Sequence, residues 1–222
     1  MASEKLDLEN LSEESRHVID LIKSKKHFLL SGGAGSGKTY SLVEVLKAVV
    51  SDSPSLNIAC ITYTNAAVNE IGDRVLHDNL YVSTIHDFLW GNIKCFQSEI
   101  KETLIDLIND PEQTKIKHPD NEVVSQGFFD DCDLIQYKEY LKIAKGIISH
   151  DEVIVLAYKM FEKYEKLCSI IKDKYPFIFV DEYQDTDPLV IEILLEHLEK
   201  STKDNVIGFF GDAMQSIYDG SV

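Results

Sequence analysis

The 222-residue sequence predicts an α/β fold, a parallel sheet with helices on both faces, interrupted by a helical insertion. Two observations indicate this class. Short apolar runs alternate with amphipathic helical patterns, an order that is typical of parallel strands joined by helical crossovers. The alternation stops over residues 94–149 and resumes after them. We therefore expect one domain formed by residues 1–93 and 150–222, with residues 94–149 inserted into it.

Five short apolar runs are the predicted strands, because each is bounded by turn or motif residues. These runs lie at residues 27–32, 57–62, 80–84, 177–182 and 206–212.

Helical patterns separate most of the strands, with apolar residues on one face over 39–50 and again over 188–200. The second pattern has a clear start, because Asp187 suits the N-cap and Pro188 suits the first helical position. The other predicted helices lie at about residues 99–109 and 134–147, inside the insertion, and from residue 150 onward.

The composition is that of a folded protein with a strong negative charge. Apolar residues make up 44% and charged residues 27%, which excludes a disordered chain. No apolar run approaches the roughly 20 residues of a membrane helix, and the acidic start differs from a signal peptide, so we expect a cytoplasmic protein without membrane contact. A net charge of −16, from 38 acidic and 22 basic residues, opposes unaided binding to a nucleic-acid backbone.

Residues 32–39, GGAGSGKT, satisfy the GxxxxGK[ST] pattern of a phosphate loop and lie between a predicted strand and a predicted helix. Glycines let backbone N–H groups converge on a phosphate, and the following helix N-terminus adds positive potential. We expect Lys38 to reach the β- and γ-phosphates and the Thr39 hydroxyl to bind Mg²⁺. The predicted nucleotide-binding residues are Gly33, Ala34, Gly35, Ser36, Gly37, Lys38 and Thr39.

A pair of carboxylates, Asp181 and Glu182, ends the predicted strand at 177–182. Carboxyl ends of parallel strands border the ligand crevice, so both side chains should face the phosphate loop. Asp181 is placed to hold Mg²⁺ and Glu182 to deprotonate an attacking water. Such a pair favours hydrolysis, because a small-molecule kinase needs an acceptor pocket instead.

Five segments, in this order, together resemble the UvrD/Rep-type helicases and translocases of superfamily 1. GGAGSGKT matches motif I, ITYTNAA at 61–67 resembles motif Ia, and VSTIHDF at 82–88 resembles motif Ib. VDEYQDT at 180–186 matches motif II, and GDAMQSIY at 211–218 resembles motif III. A kinase would leave three of these motifs unexplained.

The resemblance implies a RecA-like P-loop NTPase domain, called 1A, formed by residues 1–93 and 150–222, with 94–149 as the helical insertion 1B. It also implies ATP and Mg²⁺ as cofactors and single-stranded DNA as a partner. Carried over by position, Gln215 would sense the γ-phosphate and Gln184 would support the catalytic carboxylates. The catalytic set is then Glu182, Lys38, Gln215 and Gln184, the metal ligands are Thr39 and Asp181, and the DNA-binding positions are Thr64, Thr84 and Ile85.

The sequence departs from the family pattern at several positions. Ser15 replaces the glutamine that reads adenine, Tyr40 replaces an arginine after motif I, and Ile85 replaces an aromatic residue in motif Ib. The chain continues after motif III with residues 219–222, DGSV, where relatives have an aromatic residue and then Arg-Gly-Ala. A base-stacking platform is therefore not expected at that position.

The leading functional hypothesis is an ATP-driven DNA helicase or single-strand translocase that moves 3′ to 5′. In such proteins a second RecA-like domain supplies arginines that stabilise the transition state, so we expect the 222 residues alone to bind nucleotide but hydrolyse it slowly and unwind nothing. The alternative is a regulatory or defence-associated NTPase that acts through a protein or nuclease partner. The acidic composition and the altered end of motif III favour that alternative.

Overall fold

The computed structural model describes residues 11–33 and 35–212. Within them the chain divides into two compact units, which are described separately. Unit 1 takes its described residues from 1–85, 172–186 and 202–222, and unit 2 comprises residues 86–171 and 187–201.

Seven strands occur in the described residues. They are β1 (Phe28–Ser31), β2 (Ile58–Thr62), β3 (Leu80–Thr84), β4 (Gln136–Tyr137), β5 (Ile147–Ile148), β6 (Phe177–Asp181) and β7 (Val206–Gly211).

Unit 1 is built on a five-stranded parallel sheet with the order β1-β7-β6-β2-β3. The α/β class and all five predicted strands are thus confirmed. Every residue of β2 and β7 is buried, which explains why these strands are continuous apolar runs instead of alternating ones.

The helices of the described residues are α1 (Glu13–Lys23), α2 (Lys38–Asp52), α3 (Asn65–Arg74), α4 (Ile85–Ile93), α5 (Gln97–Asn109), α6 (His150–Lys163), α7 (Glu165–Lys174) and α8 (Pro188–Glu192). Helix α8 continues through a π-helical turn at Ile193–His197 and a 3₁₀ turn at Leu198–Lys200, as the pattern over 188–200 predicts. The predicted cap is confirmed, because the Asp187 side chain accepts from the Leu189 N–H and Pro188 is the first helical residue.

The core of unit 1 centres on three phenylalanine rings from neighbouring strands. Phe28 lies 5.6 Å from Phe210 and 6.1 Å from Phe179, measured between ring centroids. Gly208 lies directly against Phe28, since a Cβ atom added there would come within 2.2 Å of Phe28 Cζ. Packing against the Phe28 ring therefore requires glycine at this position.

In unit 2 the helix expected at 134–147 is wrong, because this segment forms β4, β5 and a 3₁₀ turn at Ile143–Lys145. Gly146, at φ +66°, ends the turn in a left-handed conformation that a helix cannot continue through. The stretch predicted as a helical insertion, 94–149, thus contains one long helix, α5, followed by turns and two short strands. Its assignment as an inserted domain stays a prediction.

Across the described residues, no helix combines the length and apolar character needed to cross a membrane.

Candidate active site

The sheet topology brings the predicted catalytic segments to one edge. Strand β7 lies between β1 and β6, with Ser31 opposite Gly211 and Asp181 opposite Phe210. Because all five strands run parallel, the phosphate loop after β1 and the carboxylates ending β6 lie at the same end of the sheet, one strand apart. The Gly32 N–H also donates to the Gly211 carbonyl at 3.0 Å, which joins the start of the loop to the end of β7.

The phosphate loop depends on two glycines in the left-handed region. Gly35 has φ +75° and Gly37 has φ +87°, conformations that side chains rarely adopt. Gly37 is the N-cap of α2, so the loop leads directly into a helix N-terminus. Backbone N–H groups in such a loop and helix start are the donors that an anionic phosphate needs. Among the other predicted loop residues, Gly33 and Ser36 are exposed and Thr39 is half-buried. Ala34 lies outside the described residues.

Lys38 is the first residue of α2, and its ammonium group lies over the phosphate loop. Its Nζ atom donates to the carbonyl oxygens of Gly32 at 2.8 Å and Gly33 at 3.3 Å. The same charge acts on Asp181, whose pKa it lowers in opposition to stronger effects. The ammonium group is thus within electrostatic reach of both the loop and the acidic strand end.

Asp181 is buried, with 4% of its surface exposed, at the end of β6. Burial, and next the charge of Glu182, raise the pKa of Asp181 to about 6. Its Oδ1 atom has no hydrogen-bond partner among the residues that the structure describes. A buried carboxylate oxygen without a partner is costly, and a bound cation would remove that cost, so Asp181 and the half-buried Thr39 hydroxyl fit the predicted Mg²⁺.

Glu182 follows with a left-handed backbone at φ 50° and ψ 52°. Its carboxylate Oε2 accepts from Gln184 Nε2 at 2.6 Å. The other end of the Gln184 amide, Oε1, accepts from the Asp212 N–H at 2.9 Å. Gln184 therefore joins the predicted general base to the chain that leaves β7. The remaining catalytic prediction, Gln215, lies outside the described residues.

The three predicted DNA-binding residues differ in accessibility. Thr64 is exposed and caps α3, with its hydroxyl oxygen accepting from the Ala67 N–H at 3.2 Å. Thr84 ends β3 and Ile85 begins α4, and both are buried. Thr62 and Thr84 are opposite each other on β2 and β3, so the two strand ends share the edge that carries the catalytic segments. Of the three side chains, only that of Thr64 is exposed.

Tyr63 is a site candidate that sequence reasoning missed. It lies between Thr62 and Thr64, directly after β2, and 58% of its surface is exposed. Its position immediately beyond a buried strand in a parallel sheet was the available signal, because such residues lie on the ligand edge. An exposed aromatic ring there can stack on a base.

Ser15, at the position where adenine recognition was expected, serves a structural contact. It is buried, and its hydroxyl donates to Glu44 Oε2 at 2.8 Å. The Ser12 hydroxyl donates to the same oxygen at 2.8 Å. These bonds fasten the start of α1 to α2, the helix that follows the phosphate loop, so the Ser15 hydroxyl is engaged within the protein.

Comparisons with known proteins agree with this architecture. A family model described as an AAA domain matches residues 15–221. The Gabija protein GajB of Bacillus cereus (strain HuB5-5) is 30% identical, with 100% of this chain and 46% of that protein covered. The ATP-dependent DNA helicase PcrA of Bacillus subtilis (strain 168) is 26% identical, with 86% of this chain and 31% of that protein covered. A probable DNA helicase II homolog of Mycoplasma capricolum is 23% identical, with 96% and 35% covered.

The chain thus spans less than half the length of these relatives. The family match covers nearly the whole chain, and the aligned part of the relatives is their N-terminal region. The resemblance stated from the five motifs is confirmed. The chain belongs to the AAA-domain family, and it corresponds to the N-terminal region of the UvrD-like superfamily 1 helicases.

Proposed function

We propose that this chain binds ATP with Mg²⁺ and that the full-length protein hydrolyses ATP to move along single-stranded DNA, 3′ to 5′. The observation that best supports the proposal is the shared sheet edge. The phosphate loop, Asp181 and Glu182 lie there. The end of β2, which leads to Thr64, and the end of β3, which is Thr84, lie at the same edge. A nucleotide and a DNA strand bound at one edge can be coupled through the same backbone.

In this mechanism Lys38 and the loop N–H groups bind the phosphates and hold the γ-phosphate in place. Mg²⁺, held by Thr39 and Asp181, would neutralise phosphate charge. Glu182 accepts a proton from the water whose oxygen attacks the γ-phosphorus, and ADP leaves with the bond electrons. Gln215 would sense the γ-phosphate.

For the chain's organisation we propose residues 1–93 and 150–222 as the RecA-like domain 1A and residues 94–149 as 1B. A second RecA-like domain would complete the ATP site with its arginines, an effect worth about 10³ to 10⁵ in turnover for arginine fingers. On this basis the 222 residues alone should bind nucleotide and hydrolyse it very slowly.

A second candidate function is supported by the similarity to Gabija protein GajB and by the net charge of −16. Here the NTPase would act through a protein or nuclease partner, in a defence setting, and not through DNA translocation. An acidic surface repels a phosphate backbone but suits a basic protein surface.

One titration separates the two functions. The full-length protein is incubated with single-stranded DNA, with a non-hydrolysable ATP analogue, at low and moderate salt, and retention on a filter is measured. The translocase proposal expects DNA to bind in this titration, and it expects DNA to stimulate hydrolysis when ATP replaces the analogue. If no DNA binds under either condition, the partner-dependent function is favoured instead.

Two variants of the full-length protein test the site assignments. Lys38→Ala should nearly abolish binding of a fluorescent ATP analogue, because the loop loses its only side-chain cation for the phosphates. Glu182→Gln should retain that binding and lose hydrolysis. Normal turnover in Glu182→Gln would show that another group accepts the proton.

A further inference from the structure

The resemblance already implies that Gln184 supports the catalytic carboxylates. We propose, beyond that, that Gln184 is a positioning residue that links the Glu182 carboxylate to the phosphate loop through the single peptide group between Gly211 and Asp212, and that this link requires glycine at position 211. The inference rests on the proposed role of Glu182 as general base. It adds the device that holds this base in place.

The peptide group between Gly211 and Asp212 makes two hydrogen bonds in opposite directions. Its carbonyl oxygen accepts from the Gly32 N–H at 3.0 Å, at the start of the phosphate loop. Its N–H donates to Gln184 Oε1 at 2.9 Å. Because a peptide group is planar and rigid, a displacement of its carbonyl side also displaces its N–H side. A movement of the phosphate loop therefore reaches the Gln184 amide.

The second half of the Gln184 amide carries this connection to the base. Nε2 donates to Glu182 Oε2 at 2.6 Å, a short bond to a charged acceptor. The orientation of the amide is unambiguous, because the Asp212 N–H can only donate and an ionised carboxylate can only accept. The amide satisfies both neighbours, whereas an ionised glutamate, a methionine or a leucine at position 184 would leave at least one of them without its hydrogen bond.

Glu182 needs such support because its own backbone is strained. Its φ of 50° lies in the left-handed region, which is unfavourable for a residue with a Cβ atom. The Asp185 N–H donates to the Glu182 carbonyl at 3.0 Å and helps to hold that backbone. The side chain is held separately, by Gln184, so the two hydrogen bonds together define where the carboxylate lies.

Gly211 permits the approach of Gln184 to the end of β7. A Cβ atom at this position would lie 2.3 Å from Gln184 Oε1 and 2.4 Å from Tyr183 Cδ1. The Tyr183 ring also packs against Phe209, with ring centroids 6.2 Å apart, so a shift of the ring would disturb that contact. An alanine at position 211 would therefore displace Gln184, and with it the support of Glu182.

The test uses four variants of the full-length protein: Gln184→Met, Gly211→Ala, Glu182→Gln and the double variant Gln184→Met with Glu182→Gln. DNA-stimulated ATP hydrolysis gives kcat and KM, and equilibrium binding of a fluorescent ATP analogue gives a readout independent of turnover. Gly72→Ala is the matched control, because a Cβ atom at Gly72 has no atom within 4 Å among the described residues.

We expect Gln184→Met to lower kcat about 10- to 100-fold, part of the range for a general base, with little change in KM or in analogue binding. Gly211→Ala should lower kcat as well and also weaken analogue binding, because the Gly211 carbonyl accepts from the Gly32 N–H of the phosphate loop. In the Glu182→Gln background, Gln184→Met should have no further effect, because its influence passes through Glu182. Gly72→Ala should match the wild type.

Wild-type kcat in Gln184→Met, or a loss that multiplies with that of Glu182→Gln, overturns the inference. So does a change confined to KM, which would place the effect in nucleotide binding. Should Gly211→Ala fail to fold, Gln184→Met still decides. If Glu182→Gln itself turns over normally, the proposed general base is wrong, whereas an inactive Glu182→Gln beside a normal Gln184→Met rejects only the role of Gln184.

Discussion

At the scale of single residues, Asp181 shows a conflict between stability and function. The carboxyl group is buried at a strand end, and its Oδ1 has no hydrogen-bond partner within the described ranges. Burial raises its pKa to about 6, so the ionised form is disfavoured in the folded, metal-free protein. The proposed cation site thus costs stability until a cation binds.

We therefore predict that Asp181→Asn stabilises the metal-free protein at pH 7. A folded-state pKa above the unfolded value means that the penalty is absent near pH 4, grows as the pH rises, and is complete above about pH 6. A pKa rise of this size corresponds to a gain of roughly 1–3 kcal/mol. Urea unfolding without Mg²⁺ or nucleotide, at pH 7 and pH 4, measures it. The exposed Asp78→Asn is the control, and an equal or lower stability of Asp181→Asn at pH 7 would contradict the prediction.

Single residues also show what the sequence could predict. The phosphate-loop glycines and the Asp181 and Glu182 pair were predictable because each belongs to a local pattern with a known chemical purpose. The bond between Gln184 and the Asp212 N–H was not, because it depends on β7 lying beside β6 while the two residues are 28 positions apart. Tyr63 was missed although its position directly after a buried strand was an available signal, because the exposure of its ring is seen only in the folded sheet.

At the scale of elements, the contact between α1 and α2 combines apolar packing with one buried carboxylate. Glu44, on α2, is 9% exposed and accepts from the hydroxyls of Ser12 and Ser15 at the start of α1. Burial alone would raise the pKa of Glu44, but hydrogen bonds from Ser15, Ser12 and Tyr40 outweigh it, and the pKa is lowered. The ionised side chain therefore stabilises the pairing of the two helices.

This gives a pH-dependent prediction for Glu44→Gln. A lowered pKa means that the stabilisation is present above the ordinary value of 4.5 and is lost as the pH falls through the folded-state value. At pH 7 the substitution should cost roughly 1–3 kcal/mol of unfolding free energy, because hydroxyl donors lose a charged acceptor. Denaturant unfolding at pH 7 and below pH 4 measures the difference, with the exposed Glu122→Gln as control. A cost that stays constant across this range would argue against the charge as its source.

Elements also differ in how well their patterns predicted them. The five strands and α8 were predictable, because burial on both faces produces continuous apolar runs and Asp187-Pro188 is a strong helix start. The helix expected at 134–147 failed, because its apolar spacing fits a turn as well as a helix. Gly146 has a left-handed backbone, and a Cβ atom added there would lie 3.1 Å from Ile135 Cδ1. This backbone conformation selects the turn over the helix, and it is visible only in the folded structure.

At the scale of the whole molecule, the net charge of −16 constrains how this chain can contact DNA. The 22 Lys and Arg residues are outnumbered by 38 acidic ones, so on the proposed function the contacts with DNA would come mainly from hydroxyls, backbone N–H groups and stacking. On the proposed function, the exposed Thr64 and Tyr63 would supply two of these at the sheet edge. Electrostatic attraction would then come chiefly from other parts of the full-length protein or from its partners.

The last prediction follows from that division. In the full-length protein, Tyr63→Ala should weaken single-stranded DNA binding by about 1–3 kcal/mol, the usual worth of a stacked base, without changing the slope of log affinity against log salt. Losing one phosphate contact would instead reduce that slope by about 0.7. Tyr63→Phe keeps the ring and should bind normally, and Tyr140→Ala, at another exposed tyrosine, is the control for surface loss. Unchanged affinity in Tyr63→Ala would show that this ring is not a stacking surface. A weakened affinity with a reduced slope would show the same, because stacking on an uncharged ring releases no counterions.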